Sequence, residues 1–279
     1  MGLILRTGAA SDVGLVRTNN EDSAFTSRRL LAVADGVGGM PAGEVASDLV
    51  IQALAGLDAE LDGTRDGTRD GTRDEAPDGA DPLARLGDAV GAANERIRAA
   101  SEADDGRHGM GTTVTALLAA GDRLALFHVG DSRCYLLRDG ELTQLTRDHT
   151  FVQTLVDSGV LTREDARRHP QRSVVTQAVQ GVPLRPTAVL LTPVPGDRYL
   201  LCSDGLSDYV ADAAIAEALR SYRDPQGCAD RLIALALDAG APDNVTVIVS
   251  DVSVDDPAGA GRVPSVDPYA TADLPAPPG

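Results

Sequence analysis

Leu30-Leu31-Ala32-Val33-Ala34-Asp35-Gly36-Val37-Gly38-Gly39 is the stretch around which the chain is organised. Its first five residues are uniformly apolar, the length of a strand buried on both faces. The run stops at a carboxylate, and three glycines follow within four positions. A strand that ends on Asp and then turns tightly holds an oxygen donor at a fixed place, and the glycines leave backbone carbonyls accessible beside it. Read alone, the stretch is equally a strand closed by an Asx turn. The choice depends on whether other acids stand at the ends of other strands.

They do. Asp22 precedes a short strand over Ser23–Thr26 that pairs with the Leu30–Ala34 run, so Asp22 and Asp35 share one end of the hairpin. Asp131 follows the apolar run ending at Val129, Asp204 follows Arg198–Cys202, and Asp243 opens the strand from Asn244 to Val252. Each acid alone reads as a cap or turn residue. Five together point to an all-oxygen site for a hard cation, Mg²⁺ or Mn²⁺, and not for zinc.

The chain has 279 residues, enough for one large domain. Aromatics make up 3% and Trp is absent, so the core is built from Val, Leu, Ile and Ala. A net charge of −17 excludes a general nucleic-acid or anionic-membrane surface, which needs a basic footprint. Cys134, Cys202 and Cys228 are widely spaced and odd in number, as expected of buried thiols in a reducing compartment. No signal-like or membrane-spanning apolar run is present, and the expectation is a cytoplasmic monomer.

Helical periodicity covers Ala42–Leu57 and the segment from Asp81-Pro82 to about Ala103. Residues 58–81 contain a threefold Asp-Gly-Thr-Arg repeat with no apolar face, and are expected to be a disordered insertion. Strands are expected over Thr112–Ala120, Arg123–Val129, Ser132–Arg138, Glu141–Leu145 and Thr187–Leu191, with Asp139-Gly140 as a hairpin turn. Residues 147–180, Arg-rich and holding two short helical stretches, read as a surface flap. Asp212 is expected to cap a helix to Ser221, and a last helix spans Gln226–Ala239. Residues 255–279 read as a disordered Pro- and Ala-rich tail, leaving one domain over 1–254. Clustered rather than alternating strands and helices favour an α+β layered fold with antiparallel sheets.

Six motifs occur in order: R-x-x-x-E-D at Arg17–Asp22, ADGVGG at Ala34–Gly39, GTT at Gly111–Thr113, GDSR at Gly130–Arg133, SDGL at Ser203–Leu206 and DN at Asp243-Asn244. Over roughly Leu5–Val252 this resembles the metal-dependent (type 2C, PPM) serine/threonine protein phosphatases, the compact bacterial members above all. The resemblance implies an α-β-β-α sandwich of two antiparallel sheets flanked by helices. It implies that Asp35 bridges two Mn²⁺ or Mg²⁺ ions, with Asp204 and Asp243 completing the ligands of the first ion and the Gly36 carbonyl binding the second. Asp22 and Glu21 would act through waters, and Asp131 with Asp204 would hold a third, weaker ion. Arg17 would grip the substrate phosphate. The implied reaction is hydrolysis of phosphoserine and phosphothreonine in proteins by direct attack of a water bridging two cations, opposing Ser/Thr kinases. Val37 and Met40-Pro41 stand where many relatives place an imidazole, which leaves His169 in the flap, His149 or a metal-bound water as proton donor. The alternative is a pseudophosphatase or regulatory binding module on the same fold.

Overall fold

The computed structural model describes residues 3–37, 42–66 and 81–254. Ten strands form two five-stranded sheets in which every pairing is antiparallel. One sheet takes the order β1 (Leu3–Asp12), β10 (Val245–Val254), β9 (Arg198–Cys202), β6 (Arg133–Arg138), β7 (Glu141–Gln144). The other takes β2 (Asp22–Thr26), β3 (Leu30–Asp35), β4 (Val114–Ala120), β5 (Arg123–Val129), β8 (Thr187–Leu191). The expected layered α+β sandwich is what the chain forms.

Three apolar layers hold it together. Leu31 and Val33 of β3, Leu117 of β4 and Leu126 of β5 point between the sheets, where they meet Leu5, Cys134, Leu201 and Ile248. Alternation then sends Leu30, Ala32 and Ala34 to the opposite face. There they pack beneath α1 (Gly43–Asp66) and α2 (Pro82–Ala103) through Ala46, Val50, Leu54, Leu86, Val90 and Ile97. The other outer layer is α6 (Asp212–Ser221) and α7 (Pro225–Asp238), whose Ile215, Leu219, Cys228 and Leu232 cover Leu200, Val247 and Val249. A strand apolar on both faces is therefore buried on both, which is what the Leu30–Ala34 run required. Each fully buried Leu or Ile contributes roughly 1.5–3 kcal/mol of transfer free energy.

Local signals place the element ends. The Asp81 side chain accepts from the Leu83 amide, with Pro82 at the first helical position. Asp139 and Gly140 both take positive φ, 52° and 81°, as a tight turn between β6 and β7 demands. The three cysteines are buried and free.

Two expectations are corrected, and two further elements are found. The N-terminal residues form β1, a full edge strand that pairs along β10 from Leu3↔Val254 to Asp12↔Val245. Its pattern is interrupted by Thr7, Gly8 and Ser11, which hides the strand period. Helix α1 runs on to Asp66, so residues 58–66 are helical and not part of a disordered insertion; the remaining repeat lies outside the described residues, as do Met40-Pro41 and the tail from 255. The cap of α6 is Ala211, with Asp212 in the first turn, where its charge suits the helix dipole. A one-turn helix, α5 (Asp204–Ser207), follows β9 directly. The flap carries α3 (Phe151–Asp157) and α4 (Arg163–Arg167) between β7 and β8. No described helix is long and apolar enough to cross a membrane.

Candidate active site

The register Asp22↔Asp35 places two carboxylates side by side at the end of β2 and β3. Asp204 opens α5 at the end of β9, Asp243 lies just ahead of β10, and Asp131 stands in the short connection from β5 to β6. Acids from both sheets thus meet at one end of the sandwich. Asp131 is buried, and Asp22, Asp35, Asp204 and Asp243 are half-buried.

Their mutual proximity shows in their ionisation. Burial, then the charges of Asp22, Asp204, Asp131 and Asp243, hold Asp35 well above the ordinary carboxylate range. Asp204 is raised well above that range by burial and by Asp131, Asp208, Asp243 and Asp22. Burial pushes Asp131 up to about 7, and Asp22 up to about 6 despite the hydrogen bonds that favour its charged form. One Asp22 oxygen, Oδ2, accepts from Ser203 Oγ at 2.8 Å. The other, Oδ1, is buried with no hydrogen-bond partner. A crowded set of oxygen donors with an orphaned buried oxygen fits hard divalent cations. Among the described residues no group of three or more His, Cys, Asp or Glu side chains is gathered tightly enough to hold a metal ion as it stands. The acids act on one another mainly through charge.

The shell around them is rigid and hydroxyl-rich. Thr113 Oγ1 receives the Asp35 amide at 3.1 Å and is 2.6 Å from Ser132 Oγ, which ties β3 to the connection bearing Asp131. The Asp35 carbonyl accepts from the Thr113 amide at 2.8 Å and from Thr112 Oγ1 at 2.9 Å. Asn244, which motif reading leaves without a role, is the main cross-link. Its Oδ1 accepts from the Glu21 amide at 2.8 Å, and its Nδ2 donates to the Val13 and Asn19 carbonyls, each at 2.9 Å. Close backbone approach explains two glycines. A Cβ on Gly36 would sit 2.7 Å from the Gly43 carbonyl carbon, and one on Gly205 would sit 2.0 Å from the Asn244 oxygen.

Arg17 reaches the cluster. Its amide bonds the Pro242 carbonyl at 3.3 Å, and its guanidinium donates to Asp243 Oδ2 at 2.9 Å. That hydrogen bond raises its already high pKa, so it is always a cation here. Glu21 lies beside Gly36, whose amide bonds the Glu21 carbonyl at 3.2 Å.

The histidines separate. His128 is buried, bonded to Thr115 Oγ1 at 2.9 Å, and burial lowers its pKa to about 4. His149 is structural: Nδ1 accepts from the Gly130 amide at 3.1 Å, Nε2 faces Thr187 Oγ1 at 3.2 Å, and burial lowers its pKa. Both ring nitrogens are thus engaged within the fold. His169 follows the C-terminal end of α4, with Nδ1 accepting from the Gln171 amide at 3.1 Å. It is absent from the lining of the flap cleft that reaches Asp131 and Asp204.

A family model described as protein phosphatase 2C matches residues 17–237. The chain belongs to the protein phosphatase 2C family. Among its relatives, this phosphatase 2C chain is 55% identical over 250 residues to the serine/threonine protein phosphatase PstP of Mycobacterium tuberculosis. That match takes in 90% of this chain but 45% of the relative, so the chain spans about half the length of the curated protein. It is 34% identical over 246 residues to the serine/threonine phosphatase stp of Listeria monocytogenes, covering 86% of this chain and 92% of the relative. The crystal structure of the M. tuberculosis phosphatase superposes with a TM-score of 0.79 at 55% identity, over 89% of this chain and 98% of that one. The PstP catalytic domain in complex with two manganese ions gives 0.78 at 53% identity, over 90% and 100%.

Proposed function

We propose that this chain hydrolyses phosphoserine and phosphothreonine monoesters in proteins, with Mn²⁺ or Mg²⁺ as cofactor, and so opposes Ser/Thr kinases. One observation carries the reading: five carboxylates from strand ends of both sheets meet beside a fixed arginine, and one buried oxygen among them has no partner. The solved relative with two manganese ions supports it. Asp35, Asp204, Asp243 and the Gly36 carbonyl would hold two ions, with Asp22 and Glu21 acting through waters and Asp131 with Asp204 serving a third, weaker site. Bound there, the cations would lower the pKa of a water and offset charge developing on phosphorus.

The chain's own part is placement. Arg17 keeps its charge at any working pH, and its planar fork suits two phosphate oxygens at once. Asn244 fixes the loop bearing Glu21 against the strand that follows Asp243, so the two sheets present their acids in one geometry. Val37 offers no imidazole, yet each position expected to hold a metal keeps its acid, and that favours turnover over a binding role alone.

The test is hydrolysis of p-nitrophenyl phosphate and of a phosphothreonine peptide. Both reactions should require added Mn²⁺ and stop in EDTA. Asp204→Ala should lower the rate by at least about 100-fold, because a two-cation clamp cannot survive loss of a ligand. Activity retained in EDTA overturns the reading, and metal binding without turnover establishes the binding-module alternative.

A further inference from the structure

The cleft beneath the flap contains nine charged side chains. Asp131, Arg133, Asp204, Asp208 and Asp212 come from the sandwich, and Asp148, Arg163, Arg167 and Arg172 from the flap. Most are spent on each other. Arg133 grips Asp148 through Nε and Nη2, at 3.0 and 2.6 Å. Arg167 pairs with Asp212 at 2.8 Å, and Arg172 with Asp208 at 3.3 Å. Three residues remain. Asp131 and Asp204 belong to the candidate metal centre. Arg163, exposed at the start of α4, pairs with no carboxylate among the described residues.

We propose that Arg163 is a specificity residue that selects substrates carrying an acidic side chain beside the phosphorylated residue. The inference rests on the hydrolase reading above and adds a substrate preference to it. A phosphorylated segment whose phosphate lies at the acid cluster has its neighbouring residues in or along the cleft that Arg163 shares with Asp131 and Asp204. An Asp or Glu there meets a guanidinium with no competing partner and five donors to offer. A basic neighbour meets the same guanidinium as repulsion. Selectivity then comes from the unfavourable pairing as much as from the favourable one.

The experiment compares two phosphothreonine peptides, identical except that Asp on either side of the phosphothreonine is replaced by Asn, with the full chain and saturating Mn²⁺ at low salt. Wild-type protein is expected to favour the acidic peptide in kcat/KM by up to about 5-fold, the most that one exposed ion pair supplies. Arg163→Ala should equalise the two, and Arg163→Glu should reverse the order. Turnover of p-nitrophenyl phosphate, which has no flanking residues, should be unchanged in both variants. An acidic preference that persists in Arg163→Ala, or its absence in an active wild-type protein, overturns the inference and leaves the hydrolase reading standing. A wild-type protein inactive on p-nitrophenyl phosphate overturns both.

Discussion

Asp22 and Asp131 carry a consequence that single substitutions can test. Buried among other acids, they hold their protons up to about 6 and about 7 in the folded chain, whereas an unfolded Asp releases its proton near 4. Between those values the folded state binds more protons than the unfolded state. Stability on their account is therefore present at low pH and lost as pH rises from about 4 through about 7. The protein in chelator should be more stable at pH 5 than at pH 7.5, by on the order of 4 kcal/mol. Differential scanning calorimetry checks it: Asp131→Asn should flatten the fall, and saturating Mn²⁺, which binds the ionised acids, should remove it. A chelated protein whose stability rises over this interval contradicts the picture.

At the scale of elements, the approach of α5 to the start of β10 fixes the distance between Asp204 and Asp243. Gly205 permits that approach, since a Cβ would lie 2.0 Å from the Asn244 oxygen, backbone that cannot swing aside. Gly205→Ala should cost about 1–3 kcal/mol as an overpacking change, read as a lower urea midpoint. It should also raise the Mn²⁺ concentration needed for half-maximal activity, because the two acids are pushed apart. An unchanged midpoint and unchanged Mn²⁺ requirement would show that the contact relaxes freely.

At the scale of the molecule, the acids come from two sheets, and their geometry depends on how the sheets stack. Strand β1 is an edge strand pairing with β10 over its whole length while α7 packs on its face. Removing residues 1–12 would leave the β10 edge unpaired and strip Leu5 from the layer between the sheets. Such a truncation should be aggregation-prone and should lose Mn²⁺-dependent activity, as judged by size-exclusion profile and turnover. A soluble, active truncation would mean that β10 and β9 hold the site without it.

Periodicity and punctuation are local, and the sequence alone determined what rests on them. The two-sided burial of Leu30–Ala34, the faces of α1 and α2, the Asp81 cap, the Asp139-Gly140 turn and the acids at strand ends were all legible in runs of a few residues. Tertiary structure decided whatever depends on distant partners. Arg17 finds Asp243 across 226 positions, and Asn244 reaches back to Asn19 across 225. Nothing in either neighbourhood announces the match. Strand β1 escaped notice because its edge position relaxes the alternation that makes a strand recognisable. His149 looked available only until both its nitrogens were engaged. Arg163 is one of 25 arginines in the sequence, and it stands out only when pairing elsewhere in the cleft has used up its neighbours. The stretch from Leu30 to Asp35 specifies its own burial, but the charges that raise its terminal carboxylate come from the other sheet and the connection between sheets as well as from Asp22. Those depend on how the sheets pack, which no local pattern encodes.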